Sequence, residues 1–320
     1  MKQAAADVPL RHGPSLGSGR GTGWKRLRRD KWLYILLTPG LLYFIIFKYV
    51  PMWGILLAFK NYQPFIGFWG SEWVGFEHFR TLFQNPDFVM LLRNTLVLSL
   101  YNLIFFFPAP IILALLLNEI RRALFKRTIQ TLIYVPHFIS MVIVASLCYV
   151  FLTTEGGAVN NLLYAVTGQK IDFLASPDWF RPLIILQTIW KETGWGTIIF
   201  LAALAGVDME QYEAAIVDGA SRWRQLWHIT LPSIRSTIVI LLILRMGSIL
   251  DNGFEQIYLM MNALNREVAE VFDTYVYTVG ITQGAFSYST AVGLFKALIG
   301  ITLVLGSNWM AKKFGESGLY

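Results

Sequence analysis

Six stretches of this chain are long enough and apolar enough to cross a lipid bilayer, and nothing else limits its fold as strongly. They run from about Trp32 to Phe59, Asn94 to Leu117, Ile129 to Leu152, Pro182 to Ala205, Ser236 to Met260 and Ala291 to Trp309. A helix rising 1.5 Å per residue needs about 20 such residues to cross a hydrocarbon core of ~30 Å. The expected fold is therefore all-α and integral to the membrane, with six transmembrane helices. The fifth stretch is the least regular, because Arg245, Asp251 and Glu255 interrupt it. Composition agrees. Of the 320 residues 55% are hydrophobic and only 15% charged, where a soluble domain carries about 25% charged residues. So little charge cannot coat a water-facing surface.

The basic residues orient the spans. Arg20, Lys25, Arg26, Arg28, Arg29 and Lys31 precede the first. Arg121, Arg122, Lys126 and Arg127 lie between the second and third, and Lys312 and Lys313 follow the last. The positive-inside rule makes these segments cytoplasmic, and with them both termini. The other loops fit the opposite side: residues 261–290 hold Glu267, Glu270 and Asp273 against Arg266. The net charge of +7 is thus mostly topological, and nucleic-acid binding is not expected. Residues 1–30, rich in Gly, Ser, Arg and Lys, read as a flexible basic cytoplasmic tail before a six-helix transmembrane domain at 31–320. The first apolar run exceeds a signal-peptide core and should remain in the mature chain. Gly13-Pro14-Ser15-Leu16-Gly17 matches a nucleophile-elbow pattern, but no strand-to-helix turn accompanies it.

Catalytic chemistry is missing. No phosphate-binding loop of the G-x-x-x-x-G-K-[ST] kind occurs, and His12, His78, His137 and His228 are scattered. The single cysteine, Cys148, excludes a multi-cysteine metal site and reads as a packing residue. No enzyme, bound cofactor or metal is expected. His137, after Pro136, reads as a core or kink-supporting histidine, since no titratable group is near it in sequence. Pro108 and Pro110 should bend the second span. Trp69, Trp73 and Phe76 suit an interfacial belt or a platform for an external protein.

The loop from Asp208 to Pro232 is the most informative segment. Asp208 can cap a helix with Gln211 three positions on, a capping-box arrangement. Gly219 is placed to end that helix in the left-handed conformation, and Ser221 can cap a second. Met209, Tyr212 and Ile216 share an apolar stripe, while Ala215 and Gly219 leave room for a close approach beside Glu213 and Asp218. A cytoplasmic helix–turn–helix of this kind is either a docking knob or a pair of interfacial helices held on lipid by Trp223 and Trp227.

The same segment resembles the EAA loop of ATP-binding-cassette importer permeases: Glu213-Ala214-Ala215, then Gly219, Ile229, Leu231 and Pro232 at the family's spacing. Phe47-Lys48-Tyr49-Val50-Pro51, Pro108-Ala109-Pro110, Ile189 to Gly196 and Asp273-Thr274-Tyr275-Val276-Tyr277 resemble the carbohydrate branch, and within it the permeases for alginate and other complex oligosaccharides. The likeness covers roughly residues 25–320. It implies the type I importer permease fold in a bacterial cell membrane. It also implies a second permease subunit, two cytoplasmic ATPases that use ATP and Mg, and an extracytoplasmic substrate-binding protein. Glu213, Ala214, Ala215, Asp218, Gly219, Leu231 and Pro232 would then couple the chain to an ATPase. The long loop domain of the maltose-type relative is absent, as residues 60–93 and 153–181 are short.

Ionisable groups inside spans mark a pathway or an internal pair. Lys191 and Glu192 in the fourth span, with Gln187, Trp190 and Trp195 around them, and Arg245, Asn252 and Glu255 in the fifth, are the candidates for contact with a passing sugar. The alternative is a Glu192–Arg245 or Glu192–Lys191 pair that only neutralises buried charge. An acidic glycan such as alginate could be neutralised by Lys191 or Arg245. A stand-alone secondary transporter would show inverted repeats, which the two halves lack. A non-transporting scaffold would use the loop for assembly alone.

Overall fold

The computed structural model describes residues 30–313 and Gly315, and these are mostly helical. The tail expected at 1–30, Asp30 apart, and the pattern at 13–17 lie outside the described residues. The chain divides into one unit ending at Gly54 and another from Ile55 onward. In the first, α1 (Lys31–Phe44) carries exposed Leu, Ile, Tyr and Phe side chains and runs on into a π turn at Ile45–Tyr49.

The second unit begins within a 3-10 helix ending at Phe59, followed by a hairpin of β1 (Lys60–Asn61) against β2 (Glu72–Trp73), a small departure from the expected all-α chain. Lys60 pins its loop, donating to the carbonyls of Phe68 at 2.8 Å and Ser71 at 3.1 Å. Four helical stretches have the length and apolarity that crossing requires: Lys31–Phe59, Phe88–Asn118, Arg222–Gly247 and Phe286–Lys313. In the second of these, α2 (Phe88–Tyr101) passes through a π turn at Asn102–Phe106 into α3 (Pro108–Asn118). The bend expected at Pro108 and Pro110 becomes this widened turn. It sets Phe107 N on the Asn102 carbonyl at 2.9 Å just before Pro108, which has no amide hydrogen of its own to donate.

Two expected spans are broken. Instead of one helix over Ile129–Leu152, α4 (Ala123–Tyr134) and a 3-10 turn to Phe138 meet α5 (Met141–Leu152) at 98°. Pro136 has no amide hydrogen to donate, Ile139 and Ser140 are extended, and the Ser140 hydroxyl restarts the helix by accepting from Ile143 N. α6 (Pro177–Ala205) has 29 residues, enough to cross, but Lys191 and Glu192 thin its hydropathy and it is not among the four apolar stretches. α7 (Met209–Val217) lies in the loop that follows. The fifth expected span, Ser236–Met260, is interrupted: α8 (Leu231–Gly247) ends, Gly253 takes a φ of +80°, and α9 (Phe254–Met260) begins. Asp251, Asn252 and Gly253 are poor helix formers whose polar groups find partners elsewhere. α10 (Phe272–Tyr277) and α11 (Phe286–Lys313) complete the chain.

α6 is the centre of the packing. Its Phe180 and Ile184 join Leu98, Ala145, Ile257 and Met260 in one apolar cluster, and its Phe200 and Leu204 join Ala114 and Ile234 in another. Between them two glycines, Gly194 and Gly196, let neighbouring helices approach closely. A Cβ on Gly194 would lie 1.9 Å from the Ile133 carbonyl oxygen, and one on Gly196 would lie 3.0 Å from the Pro110 ring. Gly194→Ala should therefore push α6 off α4 and destabilise the fold by about 1–3 kcal/mol, read as a lower Tm of the purified protein. An unchanged Tm would mean that the helices do not approach this closely.

Candidate functional site

The irregular segments converge. A cavity of about 750 Å³ is walled by the π turn after α2, the break between α4 and α5, the middle of α6 and the break between α8 and α9. Non-helical backbone at membrane depth is tolerated where it is buried in protein or lines a wet cavity, so the breaks and the cavity have a common cause.

On α6 the residues Gln187, Thr188, Lys191, Glu192 and Trp195 line this cavity. Trp190 does not. At 100° per residue it points about 130° away from the middle of that face, and its ring is 49% exposed. Glu192 is bound on two sides: its Oε2 is 2.7 Å from His137 Nδ1 and its Oε1 is 3.1 Å from Lys191 Nζ. Lys191 also donates to the His137 carbonyl at 2.6 Å. The His137 ring stacks on Trp195 with centroids 4.5 Å apart and planes 5° from parallel. His137 is thus a member of the charged cluster rather than an isolated core histidine. Its partner lies 55 positions along the chain, which sequence proximity could not show.

The Glu192–Lys191 pair forms and the Glu192–Arg245 pair does not. Arg245 instead lies over the Phe106 ring, 5.7 Å from its centroid. Gln187 and Asn252 face the cavity from well-satisfied positions. Gln187 accepts from Gln256 Nε2 at 3.0 Å and donates to Cys148 Sγ at 3.0 Å. Asn252 donates to the Thr95 carbonyl at 3.1 Å and the Ser99 hydroxyl at 3.2 Å. Glu255 is an exposed residue at the start of α9. Asn102, Phe106 and Gln256 also line the wall, and sequence reasoning missed them. The first two sit in a stretch that looks uniformly apolar. No group of three or more potential metal ligands occurs among the described residues.

The loop at 208–232 is the second site. Asp208 caps α7, but its side chain accepts from Glu210 N at 3.0 Å, an Asx turn in place of the expected capping box. Gly219 has φ +74°, and a Cβ there would meet nothing within 4 Å, so the backbone conformation alone calls for glycine. Ala220 N donates to Ala215 O at 2.8 Å, closing the turn. Ser221 then caps Arg222–Gln225, which runs through a π turn into α8 without a stop. Leu231 packs on the Ala114–Phe200 cluster, and Pro232 sits in the first turn of α8. The Tyr212 hydroxyl meets that of Thr230 at 2.9 Å and fixes the angle between the two helices. Glu213, Ala214, Asp218 and Gly219 stay exposed, with Met209, Ile216 and Val217 beside them.

Comparison with known proteins follows from this geometry. The family described as "Binding-protein-dependent transport system inner membrane component" matches residues 107–316. Protein LplB of Bacillus subtilis (strain 168) is 65% identical over 97% of this chain and 98% of its own length. The polygalacturonan/rhamnogalacturonan transport system permease protein YteP of the same organism is 61% identical over 92% of each. Among solved structures, a chain of a bacterial ABC transporter involved in the import of the acidic polysaccharide alginate superposes with a TM-score of 0.85 at 43% identity. It covers 92% of this chain and 99% of that one. A chain of a bacterial alginate ABC transporter in complex with an alginate pentasaccharide-bound periplasmic protein gives a TM-score of 0.86 at 42% identity over the same shares. The protein belongs to this family of inner-membrane components, the permeases of ATP-binding-cassette importers.

Proposed function

We propose that the chain carries oligosaccharides released from uronate-rich polymers across the membrane, through the cavity at the middle of α6. As an importer permease it is an integral inner-membrane protein and not itself an enzyme. The observation that carries the reading is the cavity wall: a π turn, two helix breaks and the middle of α6 place charged, amide and aromatic side chains around one space. Sugars are held by such hydrogen-bonding groups together with flat ring faces. The relatives' substrates, polygalacturonan or rhamnogalacturonan for one and alginate for another, supply the substrate class.

In this reading the six spans all cross, with α6 and the two broken spans included, and both termini are cytoplasmic. A second permease pairs with this one, an external binding protein delivers the sugar, and two ATPases hold ATP and Mg. The loop at 208–232 docks on one ATPase through Glu213, Ala214, Ala215, Asp218 and Gly219, while Leu231 and Pro232 join it to α8. ATP binding favours the closed ATPases and thereby one orientation of the permease pair. A ligand shifts such an equilibrium only by its differential affinity for the two states.

Gly219→Leu must hold a left-handed conformation that costs about 1–2 kcal/mol, and Glu213→Ala removes a charged hydrogen bond worth roughly 1.5–3 kcal/mol. Both variants should insert normally, while uptake and substrate-stimulated ATP hydrolysis fall together in the reconstituted complex. Normal uptake in both would end the docking assignment.

Glu192→Gln separates transport from pairing. It keeps the shape and a hydrogen bond to His137, and Lys191 retains the His137 carbonyl. The complex should assemble at wild-type yield, with altered uptake of an acidic oligosaccharide. Loss of assembly would instead make the charge pair purely structural.

A further inference from the structure

We infer that Arg245 and Asn102 form a subsite that reads the carboxylate of a uronate unit in the passing oligosaccharide. The inference rests on the transport role proposed above and names the residues by which the cavity sorts its substrates. Two groups on its wall have unmet hydrogen-bonding capacity among the described residues, although the Asp251 charge acts on one of them, Arg245, from the same wall. Arg245, in the last turn of α8, makes no ion pair and no side-chain hydrogen bond among the described residues; its guanidinium only covers the Phe106 ring. Asn102 is 4% exposed and donates through Nδ2 to the Leu98 carbonyl at 3.1 Å, but its Oδ1 accepts nothing. Asn102 and Phe106 are the first and last residues of one π turn, so the unpaired acceptor and the support of the unpaired cation are built from a single backbone distortion. π turns of this kind concentrate at functional sites.

The other basic side chains near the cavity are engaged. Lys191 is held by Glu192 and the His137 carbonyl, and the His137 ring is hydrogen-bonded to Glu192. Asp251, on the same wall as Arg245, is bound by Lys296, which also binds Asp273. That leaves Arg245 as the cation with unmet hydrogen bonds among the described residues of the wall. An unpaired charge at membrane depth and an unpaired buried carbonyl are both costly, and a ligand with complementary groups relieves both. A planar guanidinium matches a carboxylate with two parallel hydrogen bonds. Phe106 takes the face of the guanidinium and leaves its N–H edges free to donate. Asn102 lines the same wall, and its Oδ1, closed off here, accepts from a sugar hydroxyl once the side chain turns toward the cavity. Glu255, exposed on α9 and without an ion pair among the described residues, disfavours a second carboxylate on its side, so one acid group is read in one position.

The test uses the complete importer in proteoliposomes, with oligogalacturonides and oligomannuronates offered beside the same sugars after reduction of their carboxyls to alcohols. The readout is the ratio of acidic to reduced uptake. Wild type should prefer an acidic form. Arg245→Gln should lower the ratio at least tenfold, Arg245→Lys should restore part of it, and Asn102→Asp should lower it by setting a negative charge beside the guanidinium. A wild-type ratio in Arg245→Gln, or a parallel fall of both forms, overturns the inference and leaves the transport role standing. If Arg245→Gln does not assemble, Asn102→Asp decides, and a wild-type ratio there overturns the inference. Wild type that takes up none of these sugars overturns the transport role as well.

Discussion

Glu192 is the charge around which the cavity wall is arranged. A carboxylate walled in by helices needs partners, and Glu192 takes its own from two places: Lys191 beside it and His137 at the break between α4 and α5. The break presents His137 to α6, Lys191 closes the contact by donating to the His137 carbonyl, and Trp195 stacks against the imidazole. The 98° bend is therefore more than a defect of Pro136. It brings a titratable ring to a carboxylate, and it gives the carbonyls freed at the bend a cation to accept from.

The same economy of backbone groups explains the other wall segments. Where α8 stops, Asn252 donates to Thr95 and Ser99 on α2, and Gln256 donates to Ile184 on α6. Side-chain amides replace the lost helix ladder. Lys296 on α11 reaches both the break, at Asp251, and the first turn of α10, at Asp273. The unwound segment is thus fixed by polar contacts from three helices as well as by burial of Ile249 and Leu250, which suits a wall that is polar on its cavity side.

Much of this was legible in the sequence, for physical reasons that differ by element. The loop at 208–232 could be read because its determinants are local: a cap at Asp208, a positive φ at Gly219, a second cap at Ser221. The apolar stretches could be read because the bilayer demands length and composition. The break at 139–140 was hidden because it lies inside an apolar run, whereas the one at 248–253 showed in the sequence only as the irregularity at Asp251, its stabilising partners coming from distant helices. His137 was misjudged for the same reason, since the carboxylate that gives it meaning is supplied by a different helix. Trp190 misled in the other direction. It neighbours Lys191 in sequence, but a helix turns 100° per residue, and adjacency along the chain is not adjacency on a face.

The run from Arg222 to Gly247 joins the loop to the cavity without a stop over 26 residues. At 1.5 Å per residue it is a rod about 39 Å long, clamped near one end by the Tyr212–Thr230 contact and carrying Arg245 near the other. Such a rod is a lever. A tilt of about 5° at the loop displaces its far end by about 3 Å, the length of one hydrogen bond. The cavity would then gain or lose its guanidinium contacts as the loop moves, and an event at the loop would be felt at the cavity as a change in grip.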